Sequence, residues 1–117
     1  MKMAILVRDV QVSPVERQRI SDHVRLALAR FAPVIRGLTV ILNDENGTRQ
    51  GVDKSCRLVV RLRGGTVVVN ERAEALMAAV GQAAERATRA VARLHHRTRE
   101  ARRGVRRADA SGGALPA

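Results

Sequence analysis

From Ala73 to about Arg103 the chain has no helix breaker except Gly81, and Leu76, Val80, Ala83, Ala84, Ala87, Val91 and Leu94 recur on one side at helical spacing. A helix of about 30 residues at roughly 1.5 Å per residue would be on the order of 45 Å long. No other segment of this 117-residue chain can match it, so any fold must leave part of the helix overhanging its support. The apolar side is mostly alanine and stops at Leu94, after which arginine, histidine and threonine prevail. Such a segment gains nothing from packing and faces water or a partner.

The support is legible upstream. Met3 to Val12 is rich in Ile, Leu and Val and reads as a strand. Ser13-Pro14-Val15-Glu16 then gives an N-cap, a proline at the first helical position and the acid of a capping box. Ile20, Val24, Ala27, Leu28 and Phe31 keep helical spacing until Pro33, which predicts a first helix from about Pro14 to Phe31. Leu38 to Asn43 reads as a second strand, followed by a polar loop from Asp44 to Asp53. In Lys54 to Leu62, apolar Cys56, Leu58, Val60 and Leu62 alternate with Ser55, Arg57 and Arg61, the pattern of a half-buried strand. Arg63-Gly64-Gly65-Thr66 supplies a tight hairpin turn, and Thr66 to Asn70 returns as the fourth strand.

The order β-α-β-β-β-α predicts an α+β fold. The first two strands, joined through a helix, should be parallel and the last three a meander, giving a four-stranded sheet with both helices packed on one face. Length allows one domain, assigned to residues 1–104. Residues 105–117 are assigned to a disordered tail, because Ala108 to Ala117 (ADASGGALPA) has small residues and no periodic apolar face.

Charge identifies the kind of partner. Lys and Arg number 22 against 11 Asp and Glu, a net charge of +11, and self-repulsion on this scale points to a polyanion. Residues 53–117 carry +8 of it. Within that half nine arginines, from Arg86 to Arg107, face one acid, Glu100. Among them Arg86, Arg89, Arg93 and Arg97 follow at intervals of 3, 4 and 4 and form one stripe roughly 16 Å long. A lone arginine pair would be an ordinary solvated face, and like charges at this spacing weaken a helix slightly. A row this long instead suits a phosphate backbone, which guanidinium groups grip through paired hydrogen bonds. Phe31 is the only aromatic, which excludes single-strand readers that stack bases on exposed rings.

No catalytic or metal constellation emerges. His95 and His96 are adjacent and point about 100° apart on a helix, so they cannot chelate one ion. Ser21, Asp22 and His23 diverge around the first helix and read as surface polar residues rather than a triad. Cys56 falls on the apolar side of its strand, where a thiol is a small buried hydrophobe; being alone, it can form no intramolecular disulfide. Asp44, Glu45 and Asp53 lack calcium-loop spacing and read as solvated. Gly81 is expected to allow a close helix-to-sheet approach. Met3 to Val7 is too short for a signal core or membrane span. The long helix has no Trp or Phe anchor for a membrane surface.

The element order, the Gly64-Gly65 hairpin, the helix opening Ala75-Leu76-Met77-Ala78-Ala79-Val80 and the basic stripe from Arg86 resemble the ribosome hibernation promoting factor family, which includes the ribosome-associated inhibitor A proteins. The resemblance spans about residues 1–103. It implies a stress-response protein on the small ribosomal subunit, between head and body, where it displaces mRNA and tRNA and blocks translation. Its partners would be that subunit and its ribosomal RNA. By position, Arg86, Arg89, Arg93 and Arg97 match the family's basic sites, with His23, Arg25 and Arg30 of the first helix as further candidates. Met77, Gly81 and Leu26 depart from the family pattern, and the chain looks like a short form without the additional C-terminal domain. The expectation is a cytoplasmic, non-enzymatic protein without cofactor, metal or small-molecule substrate, monomeric when free. A general double-stranded-RNA-binding protein is the alternative.

Overall fold

A computed structural model of the chain describes residues 1–44 and 53–110, with side chains as far as residue 100. Four strands, β1 (Lys2–Arg8), β2 (Ile35–Asp44), β3 (Lys54–Leu62) and β4 (Gly65–Ala73), form one sheet in the order β1-β2-β3-β4. β1 and β2 are parallel, whereas β2–β3 and β3–β4 are antiparallel. Helix α1 (Pro14–Ala27) makes the crossover from β1 to β2, and α2 (Leu76–Ala110) follows the meander. Both lie on one face of the sheet, α2 over β3 and β4 and α1 beside α2. This is the α+β arrangement expected from the sequence.

Strand alternation builds the core. Leu38, Val40 and Leu42 of β2, Cys56, Leu58 and Val60 of β3 and Val67 and Val69 of β4 point toward the helices and are buried. Ile20, Val24 and Leu28 meet them from the α1 side, and Val80, Ala83, Ala87 and Val91 from α2. Small alanines let the long helix sit close to the sheet. Each fully buried Leu, Ile or Val contributes roughly 1.5–3 kcal/mol, so truncating Leu58 or Val80 at the centre would open a costly cavity.

Element boundaries move for local reasons. Ser13 caps α1 as predicted: its hydroxyl accepts from the Glu16 amide and the Glu16 carboxylate from the Ser13 amide. The helix stops at Ala27, not Phe31, and continues as a 3-10 helix over Ala29–Val34. Pro33 has no N–H to donate, and its ring opposes an α-helical turn before it. β1 ends at Arg8 rather than Val12, because Asp9 takes a left-handed φ of 53° that turns the chain out of the ladder. β2 and β4 are longer than Leu38–Asn43 and Thr66–Asn70, since Ile35, Gly37 and Asp44 of β2 and Gly65, Glu71, Arg72 and Ala73 of β4 also pair with β3. β3 has the predicted limits. α2 starts three residues later than predicted and includes residues 105–110, which composition had placed in the tail. Residues 111–117 lie outside the described residues.

Two readings are corrected. Asp44 and Asp53 are not solvated but buried at the end of the β2–β3 ladder, where Lys54 Nζ bridges Asp44 Oδ2 at 3.0 Å and Asp53 Oδ1 at 3.4 Å. The Asp44 hydrogen bond above all raises the Lys54 pKa. Glu45 lies outside the described residues. Gly81 makes no close approach to the sheet, for a Cβ there would meet only His23 Nε2 of α1, at an ordinary 3.9 Å.

Candidate nucleic-acid interface

α2 is held in place on two flanks. On one, the Thr88 hydroxyl, 2.8 Å from the Ala84 carbonyl of its own helix, also lies 3.2 Å from the Ala27 carbonyl, and His95 meets Phe31 edge-on with ring centroids 5.9 Å apart. On the other, Arg86 Nη1 lies 2.6 Å from Glu71 Oε1 and donates to the Asn70 carbonyl at 3.3 Å, tying the helix to edge strand β4. At the hairpin the support is closest. A Cβ on Gly64 would lie 2.5 Å from Thr98 Oγ1, so any larger residue would have to push the Thr98 side chain aside. Gly65 carries the positive φ of the turn, 152°. Thr98 is thus still seated, one turn beyond Leu94, and α2 runs twelve residues further to Ala110, on the order of 18 Å.

The predicted stripe is arranged on the β4 flank. Arg89, Arg93 and Arg97 are exposed, and none pairs with an acid among the described residues. Arg86 shares their face but is half engaged by Glu71, so three unpaired guanidiniums and a fourth buttressed one form the row.

The first-helix candidates stand apart. His23 lies in the groove between α1 and α2 beside Gly81. Arg25 turns away toward the chain start, donating to Ser21 Oγ at 3.2 Å and to the Met1 carbonyl at 3.2 Å. Arg30 stacks on Phe31, 4.7 Å from the ring centroid, near His95. The seven residues therefore occupy two flanks of the helix layer rather than one patch.

Sequence reasoning did not reveal the cleft between hairpin and helix. Val34, Leu62 and Leu94 form its floor, and Arg63, His95 and Arg99 its rim. Its parts come from three separate elements, so no spacing in the chain signals it. Among the described residues no cluster of three or more His, Cys, Asp or Glu could hold a metal ion, and no helix is long and apolar enough to cross a membrane. His96 pairs with Glu100 at 3.3 Å along the helix, Asp22 accepts from Gln18, and Ser21 accepts from Arg25, so these polar residues serve α1 and α2 locally. Burial pushes the Cys56 thiol up to about 12, leaving it protonated and unreactive near neutrality.

The fold is a thin α+β sandwich whose long last helix carries a row of exposed arginines. Residues 4–99 match the sigma 54 modulation protein / S30EA ribosomal protein family, and the chain belongs to that family. It is thereby a ribosome-associated protein of the hibernation and subunit-interface class. The N-terminal domain of Protein Y from Thermus thermophilus shares the fold with a TM-score of 0.61 and 25% identity, covering 80% of this chain and 98% of that one. A ribosomal subunit interface protein from Coxiella burnetii aligns with a TM-score of 0.65 at 15% identity, covering 82% and 99%. No curated protein matches the chain significantly.

Proposed function

We propose that this protein inactivates ribosomes by lodging on the small subunit, with α2 lying along ribosomal RNA where mRNA and tRNA would otherwise bind. The observation that carries this reading is the exposed row Arg89, Arg93 and Arg97 on a helix that outruns its own sheet, in a chain of this family. A helix end with no protein surface to cover needs a phosphate-lined groove, and a cleft used by mRNA and tRNA supplies one. Arg86 completes the row from its seat against Glu71, and His23, Arg25 and Arg30 are secondary contacts on the α1 side. The mechanism is occlusion: it requires no catalytic residue, cofactor or metal, and it operates in the cytoplasm on a monomeric protein.

The test is co-sedimentation with ribosomal fractions over a salt series, alongside a cell-free translation assay. With three or four arginine–phosphate contacts from α2 alone, the logarithm of affinity should fall linearly with log salt with a slope of about −3 or steeper. Added protein should suppress synthesis, and prebound mRNA and initiator tRNA should weaken its binding. Intact small subunits should compete better than an equal mass of RNA duplex; equal competition would replace occlusion with general duplex binding.

A further inference from the structure

The helices cover one face of the sheet and leave the other open. Strand register arranges the open face in four rows: Lys2-Gly37-Arg61-Thr66, Ala4-Thr39-Val59-Val68, Leu6-Ile41-Arg57-Asn70 and Arg8-Asn43-Ser55-Arg72. Five of these sixteen residues are cationic and none is acidic. The helix face, by contrast, mixes its arginines with Glu16, Asp22, Glu71, Glu85 and Glu100. Rows are spaced by roughly 6.6 Å along the strands, so the first and last cationic rows stand about 20 Å apart.

One of these cations is positioned. Gly37 leaves room for the Arg61 guanidinium to lie flat across β2, since a Cβ there would come within 2.8 Å of Arg61 Nη2. Arg61 Nη1 also donates to Thr39 Oγ1 at 3.2 Å, which fixes the plane of the group and leaves its other donors facing outward beside Lys2. Arg57 and Arg8 are exposed in the rows toward the opposite end.

We infer that the open sheet face is a second RNA-binding surface, contacting phosphates through Lys2, Arg8, Arg57 and Arg61 while α2 holds RNA on the other side. The inference rests on the ribosomal reading proposed above and adds to it a two-sided grip. RNA fits better than the other occupants. A second copy of the chain would set five cations against five. A protein partner would want an aromatic anchor in the apolar strip, which consists of Leu6, Ile41, Val59 and Val68 and is only half exposed at Leu6 and Val68. Contacts of this kind position RNA without selecting sequence.

The experiment compares salt-dependent ribosome binding of the full chain with that of Arg8→Gln/Arg57→Gln and of Arg89→Gln/Arg93→Gln, thermal unfolding confirming that each folds. Loss of two phosphate contacts should lower the slope of log affinity against log salt by about 2 in either variant and weaken binding about tenfold or more at physiological salt. The wild type should also bring a donor-labelled and an acceptor-labelled RNA duplex together in a transfer assay, and each variant should bind one duplex without bridging. Unchanged affinity and slope in the sheet variant, with loss in the α2 variant, would overturn the inference and leave the ribosomal reading standing. So would a Leu6→Ser/Val68→Ser variant that loses ribosome binding while the sheet-arginine variant keeps it, since that marks a protein partner. Failure of the wild type to sediment with ribosomes at low salt would instead remove the ribosomal reading itself, and the inference with it.

Discussion

Arg86 and Arg93 lie on one stripe, yet charge reversal should separate them. Arg86 is 55% exposed and its partner Glu71 only 20%. An exposed ion pair is worth about 0.2–1 kcal/mol, and the bond to the Asn70 carbonyl places this one near the top of that range, so Arg86→Gln should cost about 1 kcal/mol. Arg86→Glu adds repulsion between two carboxylates roughly 5 Å apart, about 1–3 kcal/mol for an effective dielectric between 80 and 20. Since 1 kcal/mol moves the midpoint of a domain this size by about 4–8 °C, Arg86→Gln should lower Tm by that amount and Arg86→Glu by at least twice as much. Arg89→Glu/Arg93→Glu removes no partner and should change stability by under about 0.5 kcal/mol. Thermal unfolding by circular dichroism, paired with ribosome sedimentation, reads both effects: Arg86→Glu loses stability and binding, Arg89→Glu/Arg93→Glu binding alone. In a Glu71→Gln background the Arg86→Glu penalty should shrink to the loss of the hydrogen bonds. Equal melting of the two charge-reversal variants would refute the anchoring of α2 on β4.

Gly64→Ala should destabilise by about 1–3 kcal/mol through overpacking against Thr98, and Thr98→Ala should restore most of it, because the nearest remaining atom, the Thr98 Cβ, stands 3.4 Å away. A Gly64→Ala cost that is the same with and without Thr98 would show that hairpin and helix do not touch. Cys56, pushed from 9.0 up to about 12, should react with a disulfide reagent about a thousandfold more slowly in the folded protein than in denaturant; reaction at the free-thiol rate would disprove its burial. Cys56 and Lys54 both have raised folded-state pKa values, so their contribution is intact below the unfolded values of 9.0 and 10.5 and is lost as pH rises through the folded ones. Tm should therefore hold up to about pH 9 and fall above it; a flat profile to pH 12 would contradict the assignment.

The sequence by itself determined the order and type of the four strands and two α-helices, the capping box of α1, the limits of β3, the hairpin and the face of α2 that carries arginine. These follow from periods of 2 and 3.6 and from turn chemistry, which act over a few residues. The overhang was determined the same way, because helix and strand differ in rise per residue. Tertiary structure alone decided the rest. Arg86 could not be told from Arg93 until β4 ran on to Glu71, and Asp44 and Asp53 became buried only when the ladder placed Lys54 between them. Gly64 and Gly65 looked alike in the chain, yet one makes room for Thr98 and the other takes the positive φ. The open face with cations and no acid is a product of register: its charges lie on β1, β3 and β4 and share one surface only because each strand is paired with its neighbour in a single alignment.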